Sequence, residues 1–584
     1  MSKISQNFSQ AEFKARGEIS ELIKKNLGKN FDEETVEIEY PPESKLGDYS
    51  VPCFLLAKKL KQNPAEVAKK LSKEIKPAGL IKNIVAVGPY VNFFVDAKEF
   101  SKLVLLEIFR DKQSYGRAKI GKGKKVMVEY FSPNTNKPLT IGHVRNIALG
   151  QSIAGILKFT GHKVVQSTLY NDRGIAIAKA ILGYQKWGGG KTPRLTGEKP
   201  DHFVGKFYVK FAQEEKKDPN LEQEAKRVLQ AWENDERKVK VVWERLMSWV
   251  LEGFKQTLKK LGVASFDEEY YESEFYSQGK EMVEKGLKKG VFVKNSEGVA
   301  LAPLEKYGLP DKIVLRPDDT SLYVTQDLYL AFLKNKYKMD TSVYVVGSEQ
   351  DLYFKQLFKI LELLGFASAK NYYHLSYGMV RLPSGKIKSR EGLAEGTGAD
   401  EIISQLEELA KKEIKERDKN ILEKELNKRA EQIAIAALKF YILAVNPKTT
   451  MVFEPQKSIA FTGRTGPYLM YVYARINSIF EKAKTKLSAK TDFSVLENEL
   501  EFELIRLLSR FPRTVAESAK NFNPSDLANY LYELAKSFSL FYETLPVLKA
   551  DERLKKARLF LISDVQTVLG IGLDLLGIGA LKKM

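Results

Sequence analysis

Residues 132–143 read Ser132-Pro133-Asn134-Thr135-Asn136-Lys137-Pro138-Leu139-Thr140-Ile141-Gly142-His143. Before them runs an apolar stretch, residues 126–131, with the composition of a buried strand. After them, residues 144–160 contain no proline and read as a helix, with Gly161 as its stop. Residues 163–169 read as a second strand. Strand, loop, helix and strand in that order favour a parallel sheet with a crossover. The loop places Gly142 and His143 at a helix N-terminus, where unpaired N–H groups and the helix dipole favour an anion. Glycine lets a phosphate approach the backbone, and an imidazole beside it can donate to a phosphate oxygen.

The wider pattern comprises Glu129, Ser132, Pro133, Asn134, Lys137, Pro138, Thr140, Gly142 and His143. It resembles the nucleotide-binding signature of class I aminoacyl-tRNA synthetases, and its flanks resemble the arginyl-tRNA synthetase family. Thr140 stands where that family's motif carries its first histidine. A threonine hydroxyl can still donate to a phosphate oxygen, and related nucleotidyltransferases use a Thr-x-Gly-His version. The resemblance implies that Thr140, Gly142 and His143 contact ATP, and that Thr140, His143 and Lys137 serve activation.

A second group lies about 190 residues downstream. Residues 344–346 form a short apolar run, followed by Gly347-Ser348-Glu349-Gln350, and upstream stands Leu322-Tyr323-Val324-Thr325-Gln326-Asp327. These resemble the family's Tyr-x-Thr-x-Asp segment and its Gln-bearing loop. The likeness implies an amino-acid pocket lined by Glu129, Ser132, Asn134, Tyr323, Asp327 and Gln350. Tyr353 stands where the family usually has histidine. A guanidinium is planar, always charged and carries five donors. It calls for carboxylates in fork geometry, which Glu129 and Asp327 can supply. Which acid faces which end of an arginine stays open.

Gly385-Lys386-Ile387-Lys388-Ser389-Arg390-Glu391-Gly392 resembles the family's Lys-Met-Ser-Lys-Ser loop. Lys386, Lys388 and Ser389 are thereby expected at ATP, with Lys386 in a catalytic role. Ser389 replaces the second lysine, and Lys137 stands where many arginyl enzymes carry a substitute. Asn171-Asp172-Arg173-Gly174-Ile175-Ala176 matches another family segment except at Ala176, and a supporting role is expected. Residues 461–476 resemble the start of the helical anticodon-binding domain. There Tyr468, Tyr471 and Arg475 combine π faces and a cation on one helix face, which suits unpaired bases.

Composition agrees with such partners. The 584-residue chain holds 94 Lys and Arg against 74 Asp and Glu, a net +20, which suits a polyanion. Cys53 is the single cysteine, so no intramolecular disulfide and no multi-cysteine metal site exists. The four histidines are scattered, so no local zinc motif is seen and no bound metal site is expected. No signal-peptide pattern or long apolar run stands out, so a cytoplasmic protein without a membrane partner is expected.

The expected fold is multidomain α/β. An α+β unit at 1–118 precedes a Rossmann-like parallel-sheet catalytic domain at 119–395, with a helical insertion at about 185–300. A helical connector at 396–454 leads to an all-α anticodon-binding domain at 455–584. The first unit resembles the family domain that contacts the tRNA elbow. The implied function is arginine–tRNA ligation, with ATP and Mg²⁺, L-arginine and tRNA(Arg), by a monomer. A catalytically weak tRNA-binding paralogue and a small-molecule nucleotidyltransferase are the alternatives.

Overall fold

The structure, a computed structural model, describes residues 8–32, 36–263, 265–317, 322–383 and 398–584. Five parallel strands form the central sheet: β1 (Lys125–Glu129), β2 (Lys163–Tyr170), β3 (Glu268–Tyr271), β4 (Thr341–Gly347) and β5 (Tyr373–Tyr377). Their spatial order is β5-β4-β1-β2-β3. Glu129 at the end of β1 lies level with Ser167 of β2 and Tyr344 of β4. The order reverses between β1 and β4. In open parallel sheets such a reversal leaves a crevice at the carboxyl ends of the strands.

Helix Ile141–Phe159 follows β1 and is buried along most of its length. Its apolar residues, from Val144 to Leu157, pack into the core with Val126 and Val128. The expected insertion is helical through Pro200–Glu215, Asn220–Glu233 and Arg237–Lys260. It ends sooner than the expected residue 300, because Glu268–Tyr271 returns to the sheet as its edge strand beside β2. A small antiparallel sheet of Val293–Lys294, Ala300–Ala302 and Lys312–Leu315 then precedes helix Tyr323–Asn335.

The first unit has helices Gln10–Leu27 and Pro64–Glu74 and an antiparallel sheet in which Tyr90–Val95 is central. The strand-like run at 35–40 forms, among its described residues, only the bridge between Glu39 and Ser50. Two long helices, Ala399–Arg417 and Glu423–Leu443, occupy the connector. The last part packs helices Gly466–Ala483, Glu499–Asn521, Pro524–Thr544 and Glu552–Leu575. Pro524 opens its helix behind the N-cap Asn523, where a missing N–H costs nothing.

The ends of the chain meet. Asp48 pairs with Arg506 at 2.6 Å, and the Tyr115 hydroxyl donates to the Leu508 carbonyl at 2.9 Å. At the other side, Ser152 of the Ile141–Phe159 helix donates to the Leu575 carbonyl at 3.0 Å.

Candidate active site

Thr140 is the N-cap of helix Ile141–Phe159. Its backbone N–H donates to Nδ1 of His143 at 3.0 Å, and its hydroxyl oxygen lies 2.9 Å from the same nitrogen. A ring nitrogen that accepts carries no proton, so Nε2 holds it and can donate outward. Burial, and then the charge of Lys137, push the His143 pKa down to about 4. At neutral pH the side chain is therefore a neutral donor.

Gly142 has an ordinary helical φ, and a Cβ built on it would meet only the Thr140 hydroxyl, at 3.5 Å. Protein packing thus makes no demand for glycine there. A phosphate lying against the backbone of a helix start needs such room at the Cβ position.

The loop before this helix is held from both sides. Asn146 accepts from the Phe131 N–H at 2.6 Å and donates to the Val345 carbonyl at 2.6 Å. It therefore ties β1 to β4 at the reversal of strand order. Phe131 is fully buried with φ 57°, a conformation that bulky residues rarely adopt. The Thr168 hydroxyl holds its carbonyl. Asn134 bridges Asn171, extending the contact between the loops after β1 and β2.

Glu129 and Asp327 come together although 198 positions separate them. Glu129, at the end of β1, is nearly buried and pairs with Lys334. Asp327, on helix Tyr323–Asn335, accepts a hydrogen bond from the Tyr353 hydroxyl. Burial raises the Asp327 pKa to about 6; Tyr353 opposes that shift, the Glu129 charge adds to it, and Lys334 lowers it. Asp327 thus feels the charge of Glu129. Beyond them lies Glu272, raised to about 7 by burial, with Arg173 opposing and Asp172 and Asp327 adding.

The remaining expected pocket residues form a rim. Ser132 is half-buried, and Asn134 and Gln350 are exposed. Gln350 sits in the turn after β4. Tyr323 is 77% exposed, so it is not enclosed with the acids; it lies one turn before Asp327 on the same helix face. Lys386, Lys388 and Ser389 lie outside the described residues.

A partner of Glu129 had no signal in the sequence. Lys334 is one lysine among many, and only the fold turns it toward Glu129. Asp172 and Arg173 are bracing residues. Asp172 accepts from the Ser273 N–H at 2.8 Å and from its hydroxyl at 2.6 Å. Arg173 pairs with Glu233 and stacks 3.9 Å from the Tyr276 ring centroid. A His/carboxylate group of metal-binding type, Asp201, His202 and Asp400, occurs among the described residues. Its centre is served by the Lys199 ammonium, 2.7 Å from Asp400 and 3.1 Å from Asp201, so the protein supplies its own cation.

In the last domain, Tyr468 shares a hydrogen bond with Ser539 at 2.8 Å and is half-buried. Arg475 donates to the Tyr471 hydroxyl and lies 4.4 Å from its ring centroid. Among these three, Tyr468 has its hydroxyl committed to helix packing.

Three family descriptions match in sequence. Residues 14–95 match the arginyl tRNA synthetase N terminal domain, 105–454 the class I (R) tRNA synthetase catalytic domain, and 469–584 the DALR anticodon binding domain. The chain belongs to the arginyl-tRNA synthetase family. An arginine–tRNA ligase of Treponema denticola is 44% identical over 537 residues, covering 89% of this chain and 90% of that protein. One from Treponema pallidum subsp. pallidum is 40% identical, covering 94% of each. Among solved structures, Thermus thermophilus arginyl-tRNA synthetase aligns with a TM-score of 0.81 at 26% identity, covering 97% of this chain and 100% of that one. As a member of the arginyl-tRNA synthetase family, the chain is a class I aminoacyl-tRNA ligase with ATP as a substrate. Full-length agreement with named ligases does not favour the paralogue or the nucleotidyltransferase. No described helix is long and apolar enough to cross a membrane.

Proposed function

We propose that this chain activates L-arginine in the crevice between β1 and β4 and transfers it to the terminal adenosine of tRNA(Arg). The observation that carries the reading is that Asp327 feels the charge of Glu129 at the end of β1, while the loop after β1 leads into the helix N-terminus bearing Gly142 and His143.

In the first step an oxygen of arginine's carboxylate bonds to the α-phosphorus of ATP, and the bond to the pyrophosphate leaving group breaks. An α-carboxyl group with a pKa of about 3.3–3.7 is already ionised at neutral pH, so no general base is needed. The demands are alignment and donors for charge on the phosphates. The helix N–H groups, His143 Nε2–H, Thr140 and Lys137 are the donors assigned to that task, with Lys386, Lys388 and Ser389 expected to join them. Glu129 and Asp327 are assigned to the cationic groups of arginine, with Ser132, Asn134, Tyr323 and Gln350 at the rim. In the second step the ribose hydroxyl of tRNA takes the arginyl group and AMP leaves.

Mg²⁺ supplies neutralising charge to the phosphates and is assigned to the triphosphate itself, its usual mode of binding. The Asp201–His202–Asp400 group does not suit it, since Lys199 already balances those acids. Residues 1–118 are proposed to meet the tRNA elbow, and residues 455–584 its anticodon arm, with Tyr468, Tyr471 and Arg475 among the contacts. The chain is proposed to act as a cytoplasmic monomer.

The test is arginine-dependent ATP–pyrophosphate exchange with tRNA present. His143→Ala removes one phosphate donor, and exchange should fall about 100- to 1,000-fold. Its affinity for tRNA should stay nearly unchanged. Loss of tRNA binding with normal exchange would move His143 out of the phosphate site.

A further inference from the structure

Among the described residues, the cation that acts on both Glu129 and Asp327 is the buried ammonium of Lys334. Lys334 lies seven residues, two turns, beyond Asp327, so both project from one face of helix Tyr323–Asn335. Its side chain is only 3% exposed, and its ammonium pairs with Glu129. The ammonium also lies 4.8 Å from the Tyr344 ring centroid and 5.7 Å from that of Tyr270. Glu129 repels Asp327 and Lys334 attracts it, while the Tyr353 hydroxyl donates to Asp327 without adding charge.

Burying an ammonium is costly, and a position that needs only packing is filled better by an apolar side chain of similar volume. The placement of Lys334 therefore points to its charge. Without a cation, a buried acid beside another carboxylate resists charging near neutral pH.

We propose that Lys334 is a positioning residue for the substrate: its ammonium holds the Glu129 carboxylate and offsets the repulsion between it and Asp327, so that arginine meets both acids in place. The inference rests on the assignment of these acids to arginine. The groups against Lys334 are Glu129 on β1, Tyr270 on β3 and Tyr344 on β4; Asp327 is held by Tyr353 on helix Asp351–Leu363, whose ring lies 4.9 Å from the Lys312 ammonium. Glu272, braced by Arg173, stands on the far side of Asp327. When arginine binds, its guanidinium adds a second cation to the two acids, and no proton has to leave.

The experiment measures KM for arginine, KM for ATP and kcat in aminoacylation from pH 6 to 8.5. Lys334→Met and Lys334→Gln should each raise KM for arginine at pH 7 by about tenfold, the equivalent of one pKa unit. The rise should steepen toward pH 6, with kcat and KM for ATP close to wild type. Lys334→Arg should restore the wild-type profile. An arginine KM that follows wild type at every pH in the neutral variants would overturn the proposal, as would an equal loss in kcat and both KM values. Asp327→Asn, run in parallel, separates the two claims. An unchanged arginine KM in that variant rejects the pocket itself; a raised one, with Lys334 variants unaffected, rejects only the role of Lys334. Where the neutral variants do not fold, calorimetry of arginine binding to the wild-type protein at pH 7.5, in buffers of different ionisation enthalpy, decides. Near-zero proton release is expected, and release of about one proton per arginine would refute the idea.

Discussion

Gly142 is a glycine that the protein's own packing does not require. Its backbone is helical and its Cβ position is vacant, so alanine would fit the fold. Helix propensity alone would then stabilise the first turn by up to about 1 kcal/mol. In the proposed ATP site the same methyl group would stand where a phosphate approaches. Gly142→Ala should therefore keep or slightly raise the unfolding temperature while KM for ATP rises severalfold; an unchanged ATP KM would show that no phosphate comes close to this turn. His143 was legible in sequence as a donor at a helix start. Its tautomer was not, because the bond from the Thr140 N–H to Nδ1 exists only once the turn has formed. Tyr353 is a similar case. It departs from the family's usual histidine, yet in the fold its hydroxyl reaches Asp327.

Helix Ile141–Phe159 acts as the keel of the catalytic domain. Arg145 is fully buried on it and donates to the carbonyls of Gly378 at 2.7 Å, Pro447 at 2.9 Å and Thr449 at 2.9 Å. It thereby ties the chain after β5 to the end of the connector. Burial lowers its pKa to about 10, so it stays charged at neutral pH. Arg145→Met would strand the Gly378 and Thr449 carbonyls, while Pro447 keeps the Gly378 N–H, at about 1–3 kcal/mol for each buried group left unpaired. An overall loss of about 3 kcal/mol should lower the catalytic domain's unfolding temperature by roughly 6–12 °C. Lys should rescue poorly, since one ammonium lacks the planar fork. A calorimetric transition unmoved in Arg145→Met would show that these carbonyls find other partners. At this scale β1, β2 and their helix could be read from local pattern, because apolar runs and a glycine stop bound them. β3 could not: it has four residues, is half polar and lies at the edge of the sheet. The run at 35–40 has strand composition, but only one bridge forms among its described residues, so composition misled.

The whole molecule brings together what local pattern leaves apart. The strand order, with its reversal between β1 and β4, depends on pairings across some 200 residues, which no window of sequence contains. The same holds for the Asp48–Arg506 pair, whose partners are 458 positions apart. Lys439 is another such junction. It is fully buried and donates to Gln151 of the keel helix and to the Gly577 carbonyl, both at 2.6 Å. The catalytic helix is thus bonded to the end of the anticodon-binding domain. Resemblance assigned Glu129 and Asp327 to one pocket, and in the fold the charge of Glu129 acts on Asp327. A crystal structure with arginine and a non-hydrolysable ATP analogue measures that arrangement. The guanidinium or α-amino group should lie within hydrogen-bond reach of Glu129 and of Asp327, with phosphate oxygens at the Gly142–His143 turn and His143 Nε2. Arginine bound outside the β1–β4 crevice, or with neither acid in contact, would contradict the site at its root.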